Sequence, residues 1–344
     1  MIYITGDTHG DFTRFSAKRL RRTGMELTKE DYIIICGDFG LCWAKDKTFE
    51  YHCKNFAEKP YTILWVQGNH ENYDMIGEYP LEEWHGGKAR HIIRDKVILL
   101  ERGQVFEIDG KTFFTFGGAS SHDIQGGILD RQTVDFAEQK RRADRNYLPY
   151  RILQESWWPQ ELPTEGELQE GLRNLERYHY EVDYVITHCC ASTLQDRINA
   201  GTGRSCAPDL LTDYLWTLEQ KLHYKHWYFG HYHDNIQYTD AQLLYEEIKE
   251  LGEPDSVQKV GRPRYRVGET VYFTYGKEDA REGYGTVEWV DDYGTLGQEK
   301  VVSYDIVGIP CELPGEKTLF KHIRESKIQS IDEMEIVRIE REEG

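Results

Sequence analysis

Residues 1–11 read MIYITGDTHGD. A run of β-branched and aromatic residues, Ile2 to Thr5, has the composition of a short buried strand and stops at a glycine. Beyond that glycine stand Asp7, Thr8, His9, Gly10 and Asp11, two carboxylates and an imidazole where a tight turn would suffice. The same arrangement recurs four times. YIIIC (32–36) runs into GDFG, YTILWVQ (61–67) into GNHE, VDYVIT (182–187) into His188, and HWYF (226–229) into GHYH.

Between these strands, residues 11–23, 46–57 and 207–221 space their apolar positions as crossover helices do. The pattern predicts an α/β layered core. Strand ends in such a core gather at one edge, where ligands bind, so clusters spread over more than two hundred residues are expected to converge. GQVFEIDGKTFFTFGG predicts a hairpin turning at Asp109-Gly110. Residues 120–180 are charged, helical in period and punctuated by Pro159 and Pro163, as an insertion over the core would be. Composition shifts near GEPDSVQKVGRPR (252–264). Beyond it, alternating segments predict a small β-rich, barrel-like domain over 258–344, closed by a helix at LFKHIRESKI (319–328). The layered core domain is placed at 1–250.

Bulk composition narrows the classes. With 39% hydrophobic and 30% charged residues the chain is globular and not disordered. A net charge of -18 opposes sequence-independent binding to nucleic acid or an anionic membrane. Seven cysteines without regular CxxC spacing argue against a disulfide framework and for a reducing cytoplasm. Without a leader-like start or an eighteen-residue apolar run, the chain is expected neither to be secreted nor to span a membrane.

The clusters offer carboxylate, amide oxygen and imidazole donors, which suit a hard-to-borderline divalent ion. Asp7, His9, Asp38, Asn69, His188, His231 and His233 make seven ligands, more than one ion needs. Two ions use them if a carboxylate bridges at roughly 3.5–4 Å. Asp11 reads either as a support to a ligand or as a helix cap. His85, Lys88, Arg90, His122 and Asp123 read as turn residues that reach the substrate only as an alternative. The arginines of KRRADR (140–145) read as a solvated helix face, Trp157 and Trp158 as packing rather than a base platform, and Cys189 and Cys190 as packing.

The ordered set D-x-H, G-D, G-N-H, H and G-H-x-H resembles the calcineurin-like metallophosphoesterase superfamily over about residues 1–240. The resemblance implies a layered β-sandwich flanked by helices. It also implies that Asp7, His9 and His233 hold one ion, Asn69, His188 and His231 a second, and that Asp38 bridges both. His70 is then the general acid, a protonated imidazole facing the leaving group, and the nucleophile a hydroxide held by the metals. Manganese is the expected metal, with iron, zinc and nickel as alternatives. The expected activity is hydrolysis of a phosphomonoester or phosphodiester, in the cytoplasm. Relatives among protein phosphatases and dinucleoside tetraphosphatases carry Asp and Arg three and four residues after the bridging Asp. Here those positions are Leu41 and Cys42. Two other functions stay open: a nuclease using Tyr265, Tyr272, Phe273, Tyr275 and Tyr284 of the C-terminal barrel as a stacking platform, and a non-catalytic metal-binding scaffold. The C-terminal domain is further expected to serve self-association or a partner.

Overall fold

Ile2 and Ile4 point to one side of their strand and Tyr3 to the other, and both sides are buried. That double burial sets the architecture. The structure, a computed structural model, describes residues 1–202, 206–238, 240–252, 263–276, 281–291, 301–311 and 317–330. The chain runs β1 (Ile2–Thr5), α1 (Ala17–Arg22), β2 (Tyr32–Ile35), α2 (Lys47–Ala57), β3 (Thr62–Trp65), α3 (Tyr73–Gly77), β4 (Leu81–Trp84), β5 (Gly87–Ile93), β6 (Val97–Leu100), β7 (Gln104–Ile108) and β8 (Lys111–Phe116). It continues through β9 (Ile128–Leu129), α4 (Phe136–Arg145), β10 (Arg151–Ile152), α5 (Glu165–Arg177), β11 (Tyr184–Thr187), α6 (Ser192–Thr202), α7 (Leu210–Glu219), β12 (His226–Phe229), β13 (Ile236–Gln237), β14 (Ala241–Leu243) and β15 (Ile248–Glu250).

Two sheets result, ordered β15-β1-β2-β3-β6-β5-β4 and β13-β14-β12-β11-β8-β7. Strands β1, β2, β3 and β6 are parallel neighbours in the first, and β8, β11, β12 and β14 in the second. Ile4, Ile34, Leu64 and Ile98 from one sheet share a buried cluster with Phe113, Ile186 and Tyr228 from the other, so the sheets pack face to face. The alternate residues Tyr3, Ile33, Ile35, Trp65 and Leu99 pack outward against Leu20 of α1, Phe56 of α2 and Met75 of α3. Near-continuous apolar strands are what burial on both faces requires.

Local chemistry fixes the ends of these elements. Asp46 caps α2 by accepting from Phe49 N at 2.9 Å. Thr164 and Glu167 form a capping box on α5, and Asp209 and Thr212 on α7. Asp109 (φ 52°) and Gly110 (φ 71°) make the two left-handed residues of a tight hairpin between β7 and β8, as the sequence predicts.

Contacts divide the chain into two units, Met1–Ser192 with Pro208–Glu253 and Thr193–Ala207 with Pro254–Gly344. Most of the boundary stretch expected at 252–264 lies outside the described residues. The second unit contains β16 (Thr270–Tyr275), β17 (Arg281–Asp291), β18 (Ser303–Pro310), β19 (Thr318–Arg324) and β20 (Ile328–Ser330) in one antiparallel sheet, β19-β18-β17-β16-β20. Among the described residues no ladder joins its two edge strands.

The helix expected at 319–328 is not there. Those residues form most of β19, a 3-10 turn at Glu325–Lys327 and the first residue of β20. Phe320 and Ile323 sit three apart and both pack on this unit's core, which reads in sequence as a helical face. The spacing comes from an irregularity in the ladder opposite Tyr304 and Ile306, where His322 takes a left-handed φ of 59° and its amide donates to Asp305. The stacking platform also contracts. Tyr265 and Phe273 are buried in that core and Tyr275 packs against it, leaving Tyr272 and Tyr284 as an outward cross-strand pair.

Candidate metal centre

Four of the seven expected ligands occupy the left-handed region: His9 (φ 46°), Asp38 (φ 47°), His231 (φ 69°) and His233 (φ 50°). A non-glycine residue there costs on the order of 1 kcal/mol or more, and such strain gathers at functional sites. Here it bends each strand-end loop so that side chains separated by one residue turn to the same centre. Tyr232, between the two histidines, is directed instead into the interior, beside Phe229 and under the thiol of Cys190.

Ligand atoms of Asp7, His9, Asp38 and His233 lie within 4.8 Å of one another. His9 Nε2 is 2.8 Å from His233 Nε2, and His233 Nε2 is 3.2 Å from Asp7 Oδ2. Asp7 and Asp38 form a buried floor, while His9 and His233 are exposed at the rim. Behind Asp7, the buried Arg14 donates to the Asp7 carbonyl at 2.7 Å and to Thr5 Oγ1 at 2.9 Å, fixing the loop without touching the carboxylate.

Part of the other expected set comes together next to it. His188 Nε2 lies 3.2 Å from Asn69 Oδ1 and 3.4 Å from Asp38 Oδ2, and His188 Nδ1 lies 2.7 Å from the Cys36 carbonyl, which fixes its ring. The His231 ring stands edge-on to His188 at 5.0 Å. Two glycines permit this closeness. A Cβ on Gly37, whose φ is +97°, would fall 2.1 Å from His188 Nδ1, and one on Gly68 2.0 Å from Asp38 Oδ1.

Asp38 tests whether divalent ions suit these residues. Its Oδ1 accepts the His70 amide at 2.7 Å, whereas its buried Oδ2 accepts no hydrogen bond. That oxygen stands 3.4 Å from His188 Nε2 and 3.7 Å from His9 Nε2, one imidazole from each set. A buried carboxylate oxygen without a hydrogen bond is costly in the interior, and here its neighbours are imidazole nitrogens of the kind divalent ions take. The residues fit. Electrostatics agree: burial alone would lower the His188 pKa, but Asp38 and Asp7 outweigh it and raise it to about 9. For Asp38 burial is likewise opposed, by His188, His70 and His9, and its carboxyl is held far below the usual range.

Burial, joined by Arg151 and His9 and resisted by Asp38, pushes the His70 pKa down to about 4, which favours a neutral imidazole in these surroundings. It lies edge-on to His9 at 4.9 Å. Arg151 Nη2 is 3.0 Å from its Nδ1 and 3.1 Å from its Nε2.

The Arg151 guanidinium is itself gripped by Asp123 at 2.7–2.9 Å and by the Ser156 carbonyl at 3.0 Å. The sequence singles out neither Arg151 nor Asp123 as a partner of His70, because Arg151 belongs to a two-residue strand of the insertion and only the fold brings it over position 70. Leu41 and Cys42, where relatives carry Asp and Arg, are buried among Phe39, Phe56 and Trp65 and take no part.

The remaining candidates fall to structural roles. Asp11 accepts from Thr13 N at 2.9 Å in a local turn. His85 lies 2.8 Å from the Glu107 carbonyl through Nδ1, Lys88 pairs with Glu170 at 2.6 Å, and Arg90 pairs with Glu101 at 2.5 Å. Arg141, Arg142 and Arg145 are exposed on α4. Trp158 is buried with Nε1 donating to Asp74 at 2.8 Å. Cys189 and Cys190 are buried. His122 and Asp123 depart from the turn reading, since both touch the site.

The calcineurin-like phosphoesterase family model matches residues 1–235. The chain belongs to that family. At this level it is a phosphoester hydrolase that uses divalent metal ions. No curated protein matches the chain. Nine solved chains do. One is the phosphopantetheinyl hydrolase of Mycobacterium tuberculosis, 13% identical over 71% of this chain and 87% of that one, with a TM-score of 0.31. Among the described residues no helix is long and apolar enough to cross a membrane.

Proposed function

We propose that the protein hydrolyses a phosphomonoester or phosphodiester at a pair of divalent ions, manganese by preference, in the cytoplasm. The observation that carries this reading is the unsatisfied Asp38 Oδ2, placed between an imidazole of each ligand set. Asp7, His9 and His233 would hold one ion, Asn69, His188 and His231 the other, and Asp38 would serve both. When bound, the ions supply Lewis acidity to the phosphoryl oxygens and lower the pKa of water enough to provide a nucleophile near neutral pH.

The chain's own groups do the rest. The floor carboxylates and the fixed His188 hold the ligand geometry, and His70, neutral, presents a ring N–H to the leaving-group oxygen. Arg151 stands beside His70 with its charge partly offset by Asp123 and brings the cation that Cys42 does not. Its planar donors suit a phosphoryl oxygen. A nuclease platform is left with two of its five proposed rings, and no contact of the site favours nucleic acid over a smaller ester.

Metal-free protein should turn over neither p-nitrophenyl phosphate nor its bis ester, and Mn²⁺ should restore activity toward at least one. Two bound ions per chain with no turnover of either ester would refute the enzymatic reading. Arg151→Ala should weaken competitive inhibition by inorganic phosphate by roughly 10- to 100-fold, the loss of one charge-assisted hydrogen bond of about 1.5–3 kcal/mol, with metal content unchanged. Arg151→Lys should recover part of it. Inhibition constants and metal analysis check both statements, and unchanged phosphate inhibition would remove Arg151 from the site.

A further inference from the structure

The five motifs each succeed a strand whose C-terminal end reaches one edge of the two sheets. A sixth strand meets the same condition. β8 is parallel to β11, with Phe116 level with Thr187, so the residues after Phe116 leave the sheet beside His188. The segment there, GGASSHD, is tied to the end of β3, since Gly118 N donates to the Gln67 carbonyl at 2.7 Å, one residue before the GNHE motif. A Cβ on Gly117 would stand 2.5 Å from the Gln67 backbone, so the two strand ends are in contact.

Three successive side chains of this segment then meet three groups of the site. Ser121 Oγ accepts from Asn69 Nδ2 at 3.2 Å and donates to the buried Glu161 at 2.7 Å. This chain turns the Asn69 amide so that its oxygen faces His188 Nε2. Asp123 grips Arg151, and Arg151 touches His70. Between them, His122 brings its Nε2 to 2.8 Å from His231 Nε2, with the rings 4.8 Å apart and tilted by 43°.

The last contact repeats the first ligand set. There, too, two imidazoles from different strand ends, His9 and His233, bring their Nε2 atoms to 2.8 Å. Two ring nitrogens at this distance either share a proton or direct lone pairs at a common cation. His231 is a proposed ligand of the second ion, and Ser121 holds Asn69, another, with its oxygen toward His188.

We infer that Ser121-His122-Asp123 is a sixth block of the site and that His122 supplies a further imidazole to the second divalent ion. This rests on the two-ion reading. His122 would then join Asn69, His188, His231 and Asp38 among the residues that would hold the second ion, so that ion would draw on the loop after β8 as well as on the five motifs.

The test is a titration of metal-free protein with Co²⁺ and with Mn²⁺ by calorimetry, with the Co²⁺ ligand-field bands followed in parallel. Wild type should take two ions. His122→Ala should keep the affinity of one ion and lose about tenfold or more on the other, with the Co²⁺ bands of that ion altered. His122→Asn, which keeps a donor oxygen, should lose less. His9→Ala should weaken the opposite ion. Thermal melting of metal-free protein, unchanged by His122→Ala, shows that the fold is kept. Two ions bound by His122→Ala within twofold of wild type would overturn the inference and make the His122–His231 contact an ordinary imidazole hydrogen bond. Equal weakening of both ions would overturn it as well. Wild type binding a single ion would overturn the two-ion reading itself, a result distinguishable from either of these.

Discussion

Asp38→Asn lowers turnover by about a thousandfold or more and abolishes the rise in melting temperature that Mn²⁺ gives the wild-type protein. The reasoning starts from the two oxygens of Asp38, which do different work. Oδ1 accepts the His70 amide at 2.7 Å, and an asparagine keeps that bond with its single oxygen. Its NH2 group then occupies the position of Oδ2, between His188 and His9. A donor replaces a negative oxygen that lies near both ligand sets, so each proposed ion would lose a ligand and gain a repulsive neighbour. Lewis-acid stabilisation by bound metal is worth several kcal/mol, and at about 1.4 kcal/mol per tenfold this gives three orders of magnitude.

The metal-free protein should be hurt far less, because the substitution removes a buried charge along with its partner interaction. His188, raised to about 9 against its burial by Asp38 and Asp7, then loses the Asp38 part of that support. The stabilisation missing in the variant is the linkage term, about 2.7 kcal/mol at a free-ion concentration one hundred times the dissociation constant. Metal analysis, kcat and melting curves with and without Mn²⁺ check the three statements together. A variant holding two ions with more than a tenth of wild-type turnover would refute the bridging role.

The same physics decides which parts of the molecule are legible in the sequence and which are hidden. A strand buried on both faces must be apolar throughout, so β1, β2, β3, β11 and β12 announce themselves, and the polar residues at their ends have no packing reason to be there. Positions 7, 9, 38, 69, 188, 231 and 233 stand out in the sequence for that reason, and four of them take a left-handed backbone. The cluster after β8 carries the same signature, an apolar run ending in Gly-Gly and then Ser-His-Asp. It is harder to read because β8 also belongs to a hairpin, whose turn at Asp109-Gly110 makes the far end look like one more connection.

Arg151 has no signal of any kind. Its strand is two residues long, and its partner Asp123 lies 28 positions away. The mistaken helix at 319–328 has the opposite cause, a ladder irregularity that counterfeits helical spacing. Single-sequence periodicity cannot separate the two, because both put apolar side chains three apart.

His70→Ala is the second large effect, a loss of about 10²–10³ in kcat, the range found when one preorganised donor to a developing charge is removed. Metal content should be unaltered, since His70 bonds to Asp38 through its backbone amide, which alanine keeps. The neutral state matters for what is lost. With a pKa near 4, set first by burial and then by Arg151 and His9, the ring does not titrate between pH 6 and 8, and bound cations only lower it further. Its depressed value means that protonation returns only below about pH 4, so no limb of the wild-type pH–rate profile near 6.5 belongs to it.

On the proposed mechanism the ring N–H would act as a hydrogen-bond donor to the departing oxygen, with the adjacent guanidinium supplying positive charge. That division predicts a dependence on the leaving group. p-Nitrophenolate departs with little help, so the penalty of His70→Ala should be smallest there and grow across phenyl and alkyl phosphates as the leaving oxygen becomes more basic. A plot of kcat against leaving-group pKa should be steeper for the variant than for wild type. Parallel lines would mean that His70 contributes equally whatever departs, which would place its hydrogen bond on a non-bridging phosphoryl oxygen and leave the leaving group to Arg151.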